Sequence, residues 1–113
     1  MRDLNKYDTE NHERQFTGWF IPAEVVFMHQ AGEIGDKELL LLATIDSLVR
    51  RGRGRGKHGC YATNRWLANE VHSTPKSTSI LINRLVKKRL VFSKTSPDGR
   101  RVLTTRWSGS RIQ

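Results

Sequence analysis

The sequence contains one cysteine, three prolines and no long apolar run, and each shortage narrows the class of protein. A single cysteine cannot build an internal disulfide framework, so the chain suits a reducing compartment. No apolar stretch approaches the roughly 18 residues needed to cross a bilayer, and the N-terminus lacks a signal-peptide pattern. We therefore expect a protein of the cytoplasm (the host cytoplasm if it is viral) or the nucleoid.

Acidic residues are almost missing from the second half of the chain. Residues 1–49 hold four Lys or Arg and nine Asp or Glu, a net charge of −5. Residues 50–113 hold sixteen Lys or Arg and two acids, Glu70 and Asp98, a net charge of +14. The total of +9 therefore hides a strongly dipolar chain. This division predicts that the basic half faces a polyanion.

A length of 113 residues predicts one domain rather than two. Residues 1–15 show no apolar periodicity, so we expect a flexible arm before a domain at 16–107 and a short tail at 108–113. The apolar patch from Phe16 to Met28 predicts an extended segment or short strand. A helical turn should begin at Pro22, and we expect the patch to pack on the core.

A buried first helix and a glycine-rich loop come next. Asp36 is the expected N-cap of a helix rich in leucine, and Gly52 is expected to end it. From Arg50 to Gly59 the alternation of glycine with cations predicts a flexible loop.

The next segment predicts two short helices separated by a tight turn. Cys60 to Ala62 indicates a brief strand that pairs with a later hairpin, and Thr63 is the expected N-cap of the first of these helices. Thr74 is the expected N-cap of the second, because Pro75 then occupies the first helical position, where proline is favoured. The side chains expected to face the core are Trp66, Leu67 and Val71 in one helix, and Thr78, Leu81, Ile82 and Leu85 in the other.

The chain then predicts a β-hairpin over 90–94 and 101–107, reversed by Ser96 to Gly99. The predicted fold class is α+β, a winged helix-turn-helix with mainly a three-helix core and a C-terminal hairpin wing. This order of elements, with this charge, is how a protein places one helix in a DNA major groove and a hairpin beside it.

The same residues resemble the winged helix-turn-helix domains of phage and plasmid replication proteins and their regulatory relatives. The resemblance covers roughly residues 19–107, and it implies that the helix from Pro75 to Arg89 enters the major groove. A glycine is usual where this chain has His72, and an aliphatic residue is usual at Ser73 and Thr78. The markers are Trp19-Phe20-Ile21-Pro22, the leucine-rich helix, Gly59-Cys60-Tyr61-Ala62-Thr63-Asn64, Leu67-Ala68, Thr74, Leu85 and Lys88-Arg89-Leu90-Val91.

Direct reading of DNA would fall to the exposed face of the second helix. Asn83 and Arg84 are residue types that pair with adenine and guanine, and serine can contact either. Ile80 could touch a thymine methyl group or belong to a protein contact. The predicted base-contact residues are Lys76, Ser77, Ser79, Ile80, Asn83 and Arg84.

Phosphate contacts need only charge and proximity. Arg100 and Arg101 at the tip of the wing could instead reach the minor groove, and the loop ahead of Cys60 could be a second clamp or simply a solubilising loop. The predicted backbone or wing contacts are Arg51, Arg53, Arg55, Lys57, Arg65, Lys87, Lys94, Arg100 and Arg101.

The sequence motifs of dinucleotide-binding enzymes and of metal sites fit this chain poorly. Gly54, Gly56 and Gly59 match the spacing of a dinucleotide fingerprint, but they follow a predicted helix rather than a strand. His58 and Cys60 could be two metal ligands, but no second pair follows at useful spacing. We expect no catalysis, no cofactor and no metal site.

The sequence therefore predicts a protein that binds double-stranded DNA with some sequence specificity. Two roles stay open, the control of transcription and the recognition of a replication origin, in a phage, virus or plasmid. The acidic, aromatic first half could recruit a partner or form a homodimer interface. The alternative of another class is a winged-helix module for protein interaction within a larger assembly. We expect no membrane and no small-molecule substrate as partner.

Overall fold

The computed structural model describes residues 21–53 and 59–108, with Arg53 described by its backbone only. The expected N-terminal arm, the apolar residues 16–20, the centre of the glycine-rich loop and the last five residues lie outside the described part. The elements in chain order are α1 (Ala23–Gln30), α2 (Asp36–Arg53), α3 (Asn64–Glu70), α4 (Pro75–Lys87), β1 (Val91–Thr95) and β2 (Arg101–Thr105). None of the described helices is long and apolar enough to cross a membrane.

The helical turn expected at Pro22 is a complete helix, α1, so the three-helix core gains a fourth member. Pro22 occupies the N-cap, and Val25 is fully buried against the core. The expectation that the whole patch packs inward is wrong for Ile21, Val26 and Phe27, which are exposed. A helix of eight residues turns only one narrow stripe toward its neighbour; on α1 this stripe holds Val25 and the partly buried Met28, and Val26 and Phe27 face outward.

Helix α2 begins and ends differently from the prediction. Asp36 is its first residue rather than its cap, and Glu38 reaches back so that its Oε1 accepts the backbone N–H of Gly35 at 2.9 Å. The helix continues through Gly52 to Arg53, because one glycine costs a helix only about 1 kcal/mol. Four residues of the expected loop, from Arg50 to Arg53, are therefore helical.

Helix α2 also forms the centre of the core. Leu41, Ile45 and Val49 recur at helical spacing and are completely buried. They belong to one hydrophobic cluster that also contains residues of every other element. Its remaining members include Val25, Leu67, Val71, Ile82, Leu85, Leu90, Val91 and Leu103.

Both threonine caps of the helix-turn-helix are confirmed. The backbone N–H of Trp66 donates to Thr63 Oγ1, and that of Ser77 donates to Thr74 Oγ1, each at 3.1 Å. Pro75 follows Thr74 at the start of α4, as predicted. The predicted inward position of Trp66 is wrong, because the side chain is 43% exposed.

The buried side of α3 is a short stripe that does not include Trp66. Leu67 and Ala68 on the helix and Val71 at its C-cap are buried. Trp66 lies about 100° around the helix from Leu67 and falls outside that short stripe.

On α4 the predicted core stripe is confirmed at Thr78, Ile82 and Leu85, with Leu81 partly buried. The Thr78 hydroxyl is the one buried side-chain polar atom without a hydrogen-bond partner in the described part of the chain.

The hairpin forms the predicted wing. β1 and β2 are antiparallel, with Val91 opposite Thr105 and Thr95 opposite Arg101. The strand expected at Cys60 is a single bridge to Leu103, with backbone hydrogen bonds of 2.7 and 2.9 Å. β2 therefore lies between β1 and the Cys60 segment. The second strand ends at Thr105 rather than at residue 107, because 106–108 form a turn.

Three helices end in the same backbone motif. After α3 the N–H of Ser73 donates to Ala68 O at 2.8 Å, and after α4 the N–H of Leu90 donates to Leu85 O at 3.0 Å. This Schellman ending requires one residue with positive φ just past the helix. That residue is Gly32 after α1 (φ 79), His72 after α3 (φ 54) and Arg89 after α4 (φ 61).

Replacing His72 with glycine should stabilise the protein. A side chain at positive φ costs about 1–2 kcal/mol, whereas the added freedom of glycine in the unfolded chain costs about 0.5–1 kcal/mol. We expect His72→Gly to raise the free energy of unfolding by about 0.5–1 kcal/mol in urea titration. Gly32→Ala is the matched control, since its Cβ would meet no atom within 4 Å, and it should lower stability. A loss of stability in His72→Gly would contradict this account.

Candidate nucleic-acid interface

Helix α4 presents a continuous exposed stripe on the side opposite its buried residues. Lys76, Ile80, Asn83 and Lys87 are all exposed and recur at spacings of four, three and four residues. At about 100° per residue these four positions fall within roughly 60° of arc. The stripe runs the length of the helix and is defined here as the α4 stripe.

The other predicted base-contact residues flank the α4 stripe. Ser77 and Arg84 are exposed on one side, and Ser79 is half-buried on the other. Arg84 is close enough to the acidic start of α2 to lower the pKa of Glu38 by its charge. The structure thus brings all six predicted residues to one face of one helix, although nothing in it tests a contact with a base.

Helix α3, which packs against α4, carries a further exposed cation. Arg65 is exposed in the first turn of α3, beside an open cleft between α3 and the start of α4. Exposed Trp66 lines the same cleft. Sequence reasoning assigned Trp66 to the core, and only the shortness of α3 could have indicated otherwise.

The two arginines of the wing, Arg100 and Arg101, have different surroundings. Arg101 is half-buried, and its guanidinium donates to Asn64 Oδ1 at 2.5 Å and to Ala62 O at 2.8 Å, so it ties the wing to the start of α3. Arg100 is exposed, with its guanidinium carbon 4.7 Å from the centre of the Tyr61 ring. Lys94 is exposed on β1. Arg100 and Lys94 are therefore the wing cations that can reach a ligand without breaking an internal hydrogen bond.

Asp98 shapes the tip of the wing. Hydrogen bonding from the Ser96 hydroxyl, together with the Arg100 backbone N–H and charge, holds the pKa of Asp98 below its ordinary value. The carboxylate lies 4.0 Å from the Arg100 guanidinium. It is the only acid in the turn that joins the strands.

The predicted second clamp is only partly described. Arg50 sits on α2 rather than in a loop, and its Nε donates to Asp46 Oδ2 at 2.6 Å. Arg51 is exposed on the last helical turn, and Arg53 closes the helix. Arg55 and Lys57 lie outside the described residues, so their phosphate contacts stay predictions.

A buried ion pair fixes where α4 ends. Glu38 is 6% exposed, and its Oε2 accepts from Lys88 Nζ at 2.9 Å. Lys88 also donates to Glu33 O at 2.6 Å. The C-terminal cap of α4 is therefore attached to the N-terminus of α2. The sequence holds one signal for this contact, because Glu38 stands three residues after Gly35, the spacing of a capping box.

Lys37 performs a similar task for α3. Its ammonium donates to the carbonyl oxygens of Val71 and His72 at 2.6 and 2.7 Å. These carbonyls lie at the end of α3 and in the turn, where helical partners are missing. Neighbouring residues of α2, Lys37 and Glu38, thus hold the turn and the far end of α4 in fixed positions.

The pKa of Glu38 reflects two opposing effects. Burial raises it, but the N–H of Gly35 and the charges of Lys88 and Arg84 lower it more, so the net pKa lies below the ordinary value of 4.5. A carboxyl whose pKa is lowered by folding stabilises the protein fully above its unfolded pKa. That stabilisation is lost as pH falls through the folded pKa.

Removing the Glu38 charge should destabilise the protein in a pH-dependent way. We expect Glu38→Gln to lower the free energy of unfolding by about 1.5–3 kcal/mol at pH 7, because it removes a charge-assisted hydrogen bond to the half-buried Lys88. The gap to the parent protein should begin to narrow below about pH 4.5, where the carboxyl of the unfolded parent chain takes up a proton, and should close as pH falls through the lower folded pKa. Urea unfolding at pH 7 and near pH 3 measures this. Glu33→Gln is the control, since Glu33 binds Lys88 through its backbone carbonyl; a gap independent of pH would refute the assignment.

The described residues contain no group of three or more His, Cys, Asp or Glu placed to hold a metal ion. No protein-family model matches the chain, and no curated protein matches it in sequence. The structure is similar to a solved structure of a mutant of the S. aureus protein MepR, with a TM-score of 0.52, 13% sequence identity, and coverage of 99% of this chain and 71% of that chain. At this identity the likeness concerns the fold, and it confirms the predicted α+β winged-helix class.

Proposed function

We propose that this chain binds double-stranded DNA with sequence specificity and acts in the regulation of transcription or in the recognition of a replication origin. The observation that carries the proposal is the exposed α4 stripe, in which a cation stands at each end and an asparagine lies between them. It lies on the second helix of a helix-turn-helix, beside a hairpin with exposed Lys94 and Arg100. The likeness to MepR, a winged-helix regulator, favours the regulatory role.

In the proposed complex α4 lies in the major groove. Asn83 offers a donor and an acceptor, the pair that recognises the N6 and N7 edge of adenine. Ile80 lies one turn earlier on the stripe, where an apolar side chain can contact a thymine methyl group. Lys76, Lys87 and Arg65 supply positive charge for the phosphates on either side. The chain itself contributes binding and no catalysis.

The resemblance to phage and plasmid replication proteins supports the origin-recognition role and a phage, virus or plasmid source. An origin binder also has to recruit replication machinery, which requires a second surface. The alternative from another class, a winged-helix module that binds protein, predicts weak retention on duplex DNA when heparin competes. The exposed cations of α4 and the wing favour DNA.

We further propose that two copies associate through α1. Phe27 is 67% exposed, Val26 is exposed on the same short helix, and Ile21 is exposed just before its N-cap. Exposed aromatic side chains are enriched at the centres of protein interfaces. The acid Glu24 on α1 pairs with Arg106, so this end of the molecule is less basic than the α4 stripe. A dimer through α1 would leave both α4 helices available for two half-sites.

The first test is the sequence dependence of Asn83. We expect Asn83→Ala to weaken binding to the preferred duplex by about 5- to 150-fold, the equivalent of 1–3 kcal/mol, and to relax preference at one base pair. Lys87→Ala, on the same stripe, should weaken binding to every duplex alike and reduce the salt slope by about one. Selection from random duplexes, followed by titration at several salt concentrations, measures both. Equal losses on all sequences for Asn83→Ala would contradict base recognition.

The second test is the solution mass. We expect the parent protein to be a dimer at micromolar concentration and Phe27→Glu to be a folded monomer, since a buried unpaired charge is costly. Analytical ultracentrifugation gives the mass, and circular dichroism verifies the fold. Lys94→Glu is a control that changes surface charge away from α1. A monomeric parent protein would exclude the proposed interface and leave DNA recognition by α4 unaffected.

A further inference from the structure

The outer face of the wing sheet carries an aromatic side chain, Phe92, that the proposed duplex complex does not use, beside the wing cations Lys94 and Arg100. Paired residues of antiparallel strands point to the same face. Cys60 lies opposite Leu103, and both are buried on the inner face. Their neighbours Tyr61 and Val102 therefore lie on the outer face. The register places Phe92 and Thr104, and Lys94 and Val102, on that same face.

Arg100 extends this outer face toward the tip of the wing. The N–H of Ser96 donates to Arg100 O at 2.8 Å, so the strand register continues past Arg101. Arg100 is then two residues from Val102 on the same side. Its guanidinium lies 4.7 Å from the centre of the Tyr61 ring, which holds it over the sheet. A planar cation is thereby fixed on the face rather than free in solvent.

The middle of the outer face is formed by small side chains and carries no carboxylate in the described part of the chain. Gly59 adds no side chain beside β2, and a Cβ there would lie 2.2 Å from Val102 Cγ1. Val102 and Thr104 are small and half-buried, whereas Phe92 is 39% exposed at one end. No acid occupies the described strand positions of this face; Asp98 lies in the turn beyond Arg100.

We propose that this face is a binding platform for single-stranded DNA, in which the Phe92 ring stacks on a base and Lys94 and Arg100 hold the adjoining phosphates. An exposed aromatic ring beside ordered cations is the combination that binds single strands without reading their sequence. Phe92 lies opposite Thr104, and from Thr104 to Arg100 the strand extends by roughly 13 Å, four residues at about 3.3 Å each. This length fits a few unpaired nucleotides. A duplex hides the faces of its bases, so it cannot use the exposed ring.

The proposal is separate from duplex recognition because it depends on the Phe92 ring and on unpaired bases, whereas duplex recognition depends on α4; Lys94 and Arg100 can serve both. A protein with both sites could hold one strand of an opened duplex while α4 holds the closed part. Single-stranded DNA should therefore bind without α4, and Asn83→Ala should not change its affinity. If single-stranded DNA does not bind, duplex binding by α4 is unaffected. If duplex DNA does not bind, binding of single strands to the wing can still be measured.

The experiment is fluorescence anisotropy with a labelled thymidine oligonucleotide of about 12 nucleotides, within the range of single-strand site sizes. We expect Phe92→Leu, which keeps an apolar side chain and removes the ring, to weaken binding about 5- to 100-fold. Phe92→Trp should retain or improve it. Duplex affinity, measured on the same samples, should change less than about twofold for both variants.

A second probe separates stacking from charge. An abasic oligonucleotide of the same length has the same phosphates and no bases, so we expect it to bind at least about tenfold more weakly than the thymidine strand. Equal affinity for the two probes, or an unchanged thymidine affinity in Phe92→Leu, would overturn the proposal. Because Phe92 is exposed on the surface, folding of the Leu variant can be verified by an unchanged urea midpoint. If the urea midpoint of Phe92→Leu falls, the comparison of abasic and thymidine strands on the parent protein still tests stacking, because that measurement needs no variant.

Discussion

The buried carboxylate of Glu38 joins two helices that are far apart in sequence, α2 and α4. One oxygen accepts the N–H of Gly35 and so starts α2; the other accepts from Lys88 and so fixes the end of α4. A buried charge is tolerated only when it is paired and hydrogen-bonded. The arrangement therefore has to form as a whole. It sets the position of the helix that we propose enters DNA, and Lys37 holds the preceding turn from the adjacent position on α2.

A second polar group attaches the wing to the same helix. Asp46 is buried, and its Oδ1 accepts from the Thr105 hydroxyl at 2.6 Å, while Oδ2 accepts from Arg50. Thr105 in turn contacts Ser108 Oγ at 2.6 Å. The end of β2 is thus bound to the middle of α2 through hydrogen bonds inside an apolar core. Such networks specify one arrangement of the elements, because a shift would leave a buried polar atom unpaired.

These interactions divide the cations into two groups with different roles. Lys37, Lys88 and Arg101 bind carbonyl or carboxylate oxygens within the protein, and Arg50 binds Asp46. Their charge still contributes to the long-range field, but a ligand would have to compete for their hydrogen bonds. The exposed cations on α4, α3 and the wing have no such cost. The net charge of +14 in the second half therefore overstates the number of groups ready to meet a phosphate.

The sequence by itself determined the elements whose signals are local. Threonine caps, Pro75 at the start of α4, the core stripe of α4 and the hairpin could all be predicted, because each depends on neighbours within a few residues. The α4 stripe follows from the same periodicity. The same periodicity predicted that the six base-contact residues on and beside the α4 stripe share the outer side of the helix; their contacts with DNA are proposals.

Only the tertiary structure decided the features that depend on distant partners. The length of α2 past Gly52, the outward position of Trp66 and the exposure of α1 result from what lies beside each helix. The positive φ of His72 could be suspected from the glycine usual there, but its cost is met by contacts with α2. Most of all, Glu38 and Lys88 lie fifty positions apart. No spacing rule joins them; the folded chain does, since the buried carboxylate of Glu38 needs a cation and the half-buried Lys88 supplies it.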